Sequence, residues 1–429
     1  MIVHKAVLDN VISQAEKTDR EVADLCSGLI KYNSAHPEAR TDECVEYIKK
    51  YMDKHGIPNE VHSRNPLKPN IVAKIIGSTD RTILWVGHLD VVPEGKPESW
   101  THPPYSGKIT SDGKVYGRGA SDMKGACAAA MVSARILSQL EEPLDNSVEF
   151  WFTADEEIGG GDGARWLSES KTFKGEVCVI GDGNGGGKDN PSIDLGCKGG
   201  AATTLIARGH TAHGSTPHLG ENAISKLIKA IPWVEKIGDY RLELPPELDG
   251  PVESSISFYL ENHDIETEEQ REATRRLFNY PTVTCNIING GVKRNVVPDY
   301  AEAEFDIRLT PGSKPLMVKE RIEELVKESG IPGLEVAVRA RETAGYHESP
   351  DSPFAHRFGE TIEKITGKSP VFKILTGGTD AIAIKNYTGI PCLGYGTSLT
   401  GMAHQPDEHV TIENLVLGVK IYAGFPILY

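Results

Sequence analysis

The sequence predicts an α/β fold: a catalytic-type domain built on a mostly parallel mixed sheet covered by helices, interrupted by an inserted α+β domain. Three observations carry this expectation. Short apolar runs alternate with helical patterns over the first half of the chain. Near residue 200 the pattern changes to alternating strands. After residue 342 the first rhythm resumes.

The elements follow in order. The N-terminal stretch 1–26 is charged throughout and has the period of an amphipathic helix. Residues 82–92 (TILWVGHLDVV), 147–157 (SVEFWFTADEE) and 176–184 (EVCVIGDGN) read as buried strands. The Ala-rich run 123–140 lies between the first two, and a second helix is expected over 162–171. In the insertion, strands are expected at 199–209, 282–291, 299–312 and 333–342. Helices are expected at 220–237, with Pro232 as a kink or break, and at 315–329. The order β-α-β-β-α-β is that of a ferredoxin-like split-βαβ unit. The Pro- and Glu-rich stretch 241–281 reads as a loop with one helix at 268–278. A helix at 353–366, the runs 371–380, 381–387 and 390–398, and a last helix near 411–422 return the chain to the first domain. The domains are therefore 1–198 with 343–429, and 199–342.

Composition narrows the function. A net charge of −15 disfavours nucleic acid, whose phosphates need Lys/Arg patches. No apolar stretch approaches the roughly 18 residues that span a membrane, and the N-terminus has no long apolar signal core. The seven cysteines are scattered, odd in number and never in CxxC spacing, which excludes a thiolate zinc site and fits a reducing cytoplasm.

The chemically suggestive residues cluster at expected strand ends. One strand runs into His88-Leu89-Asp90, the next into Asp155-Glu156-Glu157, the third into Asp182. Sites in parallel sheets form at the carboxyl ends of strands, so neighbouring strands would bring these groups together. Asp122 lies just before the Ala-rich helix and alone would read as a cap. So many carboxylates in one place need a compensating cation. Lys124 and Arg118 are too few, and a divalent metal pair is the economical answer. His88 and Asp90, two apart in a strand, share a face, a spacing that suits a metal-binding imidazole with a supporting carboxylate.

The motifs GHLDVVP, GRGASDMKG, TADEE, IGDG, AHGSTPHLGENAI and AHQPDE occur in this order over residues 70–410. Together they resemble the acetylornithine deacetylase / succinyl-diaminopimelate desuccinylase family of dizinc hydrolases, with its aminoacylase and dipeptidase relatives. The resemblance implies two Zn(2+) per subunit, with Co(2+) or Mn(2+) as substitutes. His88 and Asp182 would complete one metal, Glu157 and His404 the other, and Asp122 would bridge them across an Asp122–Met123 bond of a kind often cis in the family. Glu156 would be the general base, taking a proton from the attacking water and delivering it to the leaving amine. Asp90 would support His88. The inserted domain would be a lid and dimerisation domain, with His213 stabilising the tetrahedral intermediate, in many members from the partner subunit. Asn295, Arg308, Gly378 and Thr379 would hold a substrate carboxylate, with a salt bridge across the lid sheet as the lesser alternative for Arg308.

The implied activity is hydrolysis of an amide bond in a small carboxylate-bearing substrate by a cytoplasmic homodimer. Asp182 stands where deacetylases and desuccinylases usually carry Glu, and Asp is commoner among dipeptidase-like members. The AHQPDE ending is closer to deacetylases and aminoacylases. An N-acyl amino acid deacylase is expected, with a metallodipeptidase as the alternative. An inactive scaffold homologue would lack ligands, yet all five and the base are present.

Overall fold

The computed structural model describes residues 2–337 and 342–429. The chain divides into two compact units, one of residues 1–196, 348–373 and 379–429, the other of residues 197–347 and 374–378. The second unit thus begins two residues before the expected boundary, ends five after it, and takes in a short return segment.

In the first unit the strands run side by side in the order Asn59–His62, Asn70–Ile75, Ser147–Thr153, Thr82–His88, Val177–Ile180, Cys392–Gly394 and Ser192–Cys197. The four from Ser147–Thr153 to Cys392–Gly394 are parallel. The flanking pairs are antiparallel. The central strands are buried along nearly their whole length, as a parallel sheet covered on both faces requires. Gly125–Ser138 is almost fully buried because its Ala residues let neighbouring helices approach closely. It packs against Asp19–Ile30 and Ile412–Leu428. The N-terminal pattern forms two helices, Ile2–Ala15 and Asp19–Ile30, rather than one. Thr18, whose hydroxyl donates to the carbonyl of Ala15 at 2.7 Å, lies at the break.

Among the described residues the second unit has a six-stranded antiparallel sheet. Leu334–Ala337, Thr203–Arg208, Tyr300–Leu309 and Thr282–Gly290 lie side by side, and Gly199–Ala201 pairs with both Tyr300–Leu309 and Glu342–Thr343. Tyr300–Leu309 alternates between exposed and buried positions, and its apolar face joins Ala223–Glu235 and Pro315–Glu328 in one core. The strand expected over 333–342 is described only as Leu334–Ala337 with the short strand Glu342–Thr343; residues 338–341 lie outside the described residues.

Two expectations fail here. Pro232 does not break its helix, which continues to Glu235. The stretch 241–281 carries a second helix, Asp249–Asn262, besides Glu268–Arg276. Its start is masked in the sequence by Gly250-Pro251, yet proline is well tolerated in a first turn, where its missing N–H has no partner to lose.

Candidate metal centre

Register brings the strand ends level. His88 lies opposite Thr153, two residues before Asp155, and Val86 lies opposite Ile180, two residues before Asp182. After Thr153 the chain reverses through Asp155, whose φ of 48° is left-handed, a region Asp tolerates better than most residues. The buried Asp155 carboxylate accepts the N–H of Asp162 with both oxygens at 3.0 Å and so closes the turn. Gly159 and Gly160 also take positive φ, and a Cβ on Gly163 would meet the Ala154 carbonyl at 1.8 Å, so the glycines after the acidic run are required by the backbone.

Four of the expected ligands are in mutual contact. The Nε2 atom of His88 is 3.1 Å from Asp122 Oδ1. His404 Nε2 is 3.2 Å from Asp122 Oδ2 and 3.3 Å from Glu157 Oε1. Donor atoms of His88, Asp122 and Glu157 all lie within 4.8 Å of one another. The Asp122–Met123 peptide is cis. Asp182 lies in the same electrostatic environment. Its own carboxylate accepts the Gly183 N–H at 2.5 Å, and burial, then the charge of Asp122, push its carboxyl up to about 8.

The charges record a shortage of cations. Burial pushes Glu156 well above the usual carboxylate range, with the charges of Asp380, Asp182 and Glu157 adding to it. Burial works to lower His88, but its contact with Asp122 and the nearby charges of Asp90 and Glu156 outweigh this and hold it well above its ordinary value. Contacts with Asp122 and Glu157 raise His404 to about 10. Both imidazoles are thus drawn towards their charged forms by the surrounding carboxylates. The local basic residues do not relieve the cluster: Lys124 donates to the carbonyls of Leu29 and Tyr32, and Arg118 pairs with Glu408. Glu157 Oε1 is buried, and apart from its 3.3 Å approach to His404 Nε2 it makes no hydrogen bond among the described residues. Two imidazoles and several carboxylates form a donor set suited to zinc and its neighbours in the first transition row. The residues fit a metal.

Two supporting groups, Glu408 and Asp380, escaped sequence reading. Glu408 is fully buried and accepts from Arg118 Nη1 at 2.5 Å and from the N–H groups of Gly119, Ser121 and Asp122 at 3.0, 2.9 and 3.0 Å. Arg118 also reaches the His404 carbonyl at 3.3 Å, so this pair joins the segment of one ligand to that of another. Asp380 accepts from the Thr153 hydroxyl at 2.9 Å and is pushed up to about 7 by burial. Asp90 lies against His88 as expected and also holds the acidic turn. The Nδ1 atom of His88 is 3.0 Å from the main-chain oxygen of Asp90 and 3.6 Å from its carboxylate. The carboxylate accepts the N–H groups of Glu156 at 3.0 Å and Glu157 at 3.1 Å. Only the acidic character of Glu408 and Asp380 was visible in the sequence; their partners are distant in the chain or are backbone groups.

In the second unit, His213 pairs in register with Val296, beside Asn295, and Gly214 donates to the Asn295 carbonyl at 2.8 Å. The Nδ1 atom of His213 accepts from Ser215 N–H at 3.2 Å, which leaves Nε2 to carry the proton. Arg308 is on Tyr300–Leu309, and its Nε donates to Asp306 of the same strand at 2.9 Å, not to a neighbouring strand as the salt-bridge alternative had it. Gly378 and the buried Thr379 lie between Val371–Leu375 and Ala381–Thr388.

A family model described as peptidase family M20/M25/M40 matches residues 84–427. A probable succinyl-diaminopimelate desuccinylase of Staphylococcus aureus is 27% identical over 424 residues, covering 96% of this chain and 98% of that one. A succinyl-diaminopimelate desuccinylase of Paracoccus denitrificans is 28% identical over 362 residues, 82% of this chain and 85% of the relative. Among solved structures, the fold is similar to an M20 family metallo-carboxypeptidase of Sulfolobus solfataricus (TM-score 0.79, 23% identity, 95% of this chain and 99% of that chain). It is also similar to human carnosine dipeptidase 1 (TM-score 0.76, 18% identity, 98% and 99%). With the family model spanning most of the chain and a metal-suited cluster at the carboxyl ends of its strands, the protein belongs to the peptidase family M20/M25/M40 and is a metal-dependent hydrolase.

Proposed function

We propose that the protein is an N-acyl amino acid deacylase, hydrolysing the amide bond of a small substrate with a free carboxylate. The observation that carries this reading is the cluster of His88, Asp122, Glu157 and His404, with Glu156 preceding Glu157 on the same turn. His88, Asp122, Glu157, Asp182 and His404 would hold two zinc ions, with cobalt or manganese as substitutes. Bound metal supplies Lewis-acid polarisation of the amide carbonyl and a lowered pKa for the attacking water. Glu156 takes the water proton in its ionised form and delivers it to the leaving amine. His213 donates from Nε2 to the developing oxyanion. Asn295, Arg308, Gly378 and Thr379 hold the substrate carboxylate.

The desuccinylase names of the relatives support an N-acylated amino acid as the substrate class. Asp182 and the dipeptidase among the structural neighbours favour a second reading, a metallodipeptidase. Turnover of N-acetyl and N-succinyl amino acids against a dipeptide panel, with zinc or manganese, separates the two. Hydrolysis of dipeptides alone would overturn the first reading.

We also propose a homodimer formed through the second unit. Thr282–Gly290 pairs on one side only among the described residues and exposes Ile287 and Ile288. A cytoplasmic location is supported by the seven free cysteines. No described helix is long and apolar enough to cross a membrane.

A further inference from the structure

We infer that His36 is a positioning residue for Glu156 and Glu157, acting through Asp90. Its Nε2 lies 2.9 Å from Asp90 Oδ2, the oxygen that also accepts the Glu157 N–H, while Oδ1 accepts the Glu156 N–H. Asp90 is fully buried and the His36 side chain is 11% exposed, so water competes poorly for this contact. The backbone of His36 is tied to the same strand extension as Asp90. Ala35 and Val91 form a parallel bridge, His36 N–H donates to the Val91 carbonyl at 3.2 Å, and the Ser34 hydroxyl donates to the Leu89 carbonyl at 2.6 Å. The imidazole therefore has little freedom to follow Asp90 if it turns.

A competing partner makes the contact consequential. His88 Nδ1 is 3.6 Å from Asp90 Oδ1. Without His36, rotation of the carboxylate towards His88 Nδ1 would trade the two Glu N–H contacts for one to the imidazole. Those N–H groups set where the Glu156 and Glu157 side chains begin. His36 holds Oδ2 on the far side and keeps the clamp closed.

The test compares His36→Leu with His36→Gln, whose amide nitrogen reaches about as far as Nε2. Supporting groups of this kind are worth about 10–100-fold. The Leu variant should lose at least about 10-fold in kcat with KM within about 2-fold, and the Gln variant should recover most of it. In the metal-free proteins, hydrogen exchange of the peptide spanning residues 152–160 should accelerate for Leu and stay near wild type for Gln. If the Leu variant does not fold, His36→Asn, whose amide stops short of Asp90, carries the same expectation. Unchanged kcat and unchanged exchange, or equal losses in the Leu and Gln variants, would overturn the assignment. The inference rests on Glu156 as the base. If Glu156→Ala retained turnover, that reading would fail, and the exchange measurement would still decide whether His36 holds the clamp.

Discussion

Replacing Glu408 by Gln should loosen the metal centre without touching a proposed ligand. The Glu408 carboxylate accepts four hydrogen bonds, one from Arg118 and three from the backbone of Gly119, Ser121 and Asp122. Gln keeps one acceptor oxygen. Its amino group would face either Arg118 and Gly119 or Ser121 and Asp122, donor against donor, and the 2% exposed Arg118 would lose its counter-charge. Removing one partner of a buried pair costs about 3–5 kcal/mol. Burial already raises the Glu408 carboxyl, so the native ion carries a desolvation penalty that Gln escapes. The lower end, about 3 kcal/mol, is therefore expected. Urea unfolding of the metal-free proteins measures this without the contribution of bound metal. Metal affinity should fall about 10–100-fold, because the Asp122 N–H and the His404 carbonyl both depend on this pair. A stability change under about 1 kcal/mol with unaltered metal affinity would refute the reasoning.

Two further outcomes are expected. Asp194 is 1% exposed, and burial pushes its carboxyl up to about 6 despite Lys373 at 3.8 Å. Because the folded state binds this proton more tightly than the unfolded state, stability from this group should fall as pH rises from about 4 to about 6 and then level off, by roughly 3 kcal/mol. Asp194→Asn should remove that slope, and parallel melting profiles for the two proteins would contradict it. Ile288→Lys, on the exposed strand Thr282–Gly290, should convert a dimer to a monomer in light scattering; an unchanged mass would exclude that edge as the interface.

Much of the first unit was legible because its signals are local. Buried strands of four to seven residues ending in His or acids, and an Ala-rich helix between them, fixed both the sheet and the end at which chemistry gathers. The same locality explains the misses. Asp249–Asn262 begins at a Gly-Pro pair that reads as a turn, and only packing reveals the helix. Glu408 followed His404 in a motif, but its partners lie some 290 residues earlier and three of them are backbone N–H groups. Asp90 was expected to support an imidazole; the turn after Thr153 also brings two backbone donors to its carboxylate, which no local pattern showed. Asp155, the member of the acidic run without a ligand role, holds that turn closed.

The most direct test of the account is metal content alongside turnover. Elemental analysis of purified protein, before and after chelation and on titration with zinc, should find two ions per chain, loss of hydrolysis on chelation and its return with metal. The Glu156→Ala variant should bind the same two ions and turn over nothing. Hydrolysis that persists in metal-free protein, or full activity in that variant, would contradict the central claim.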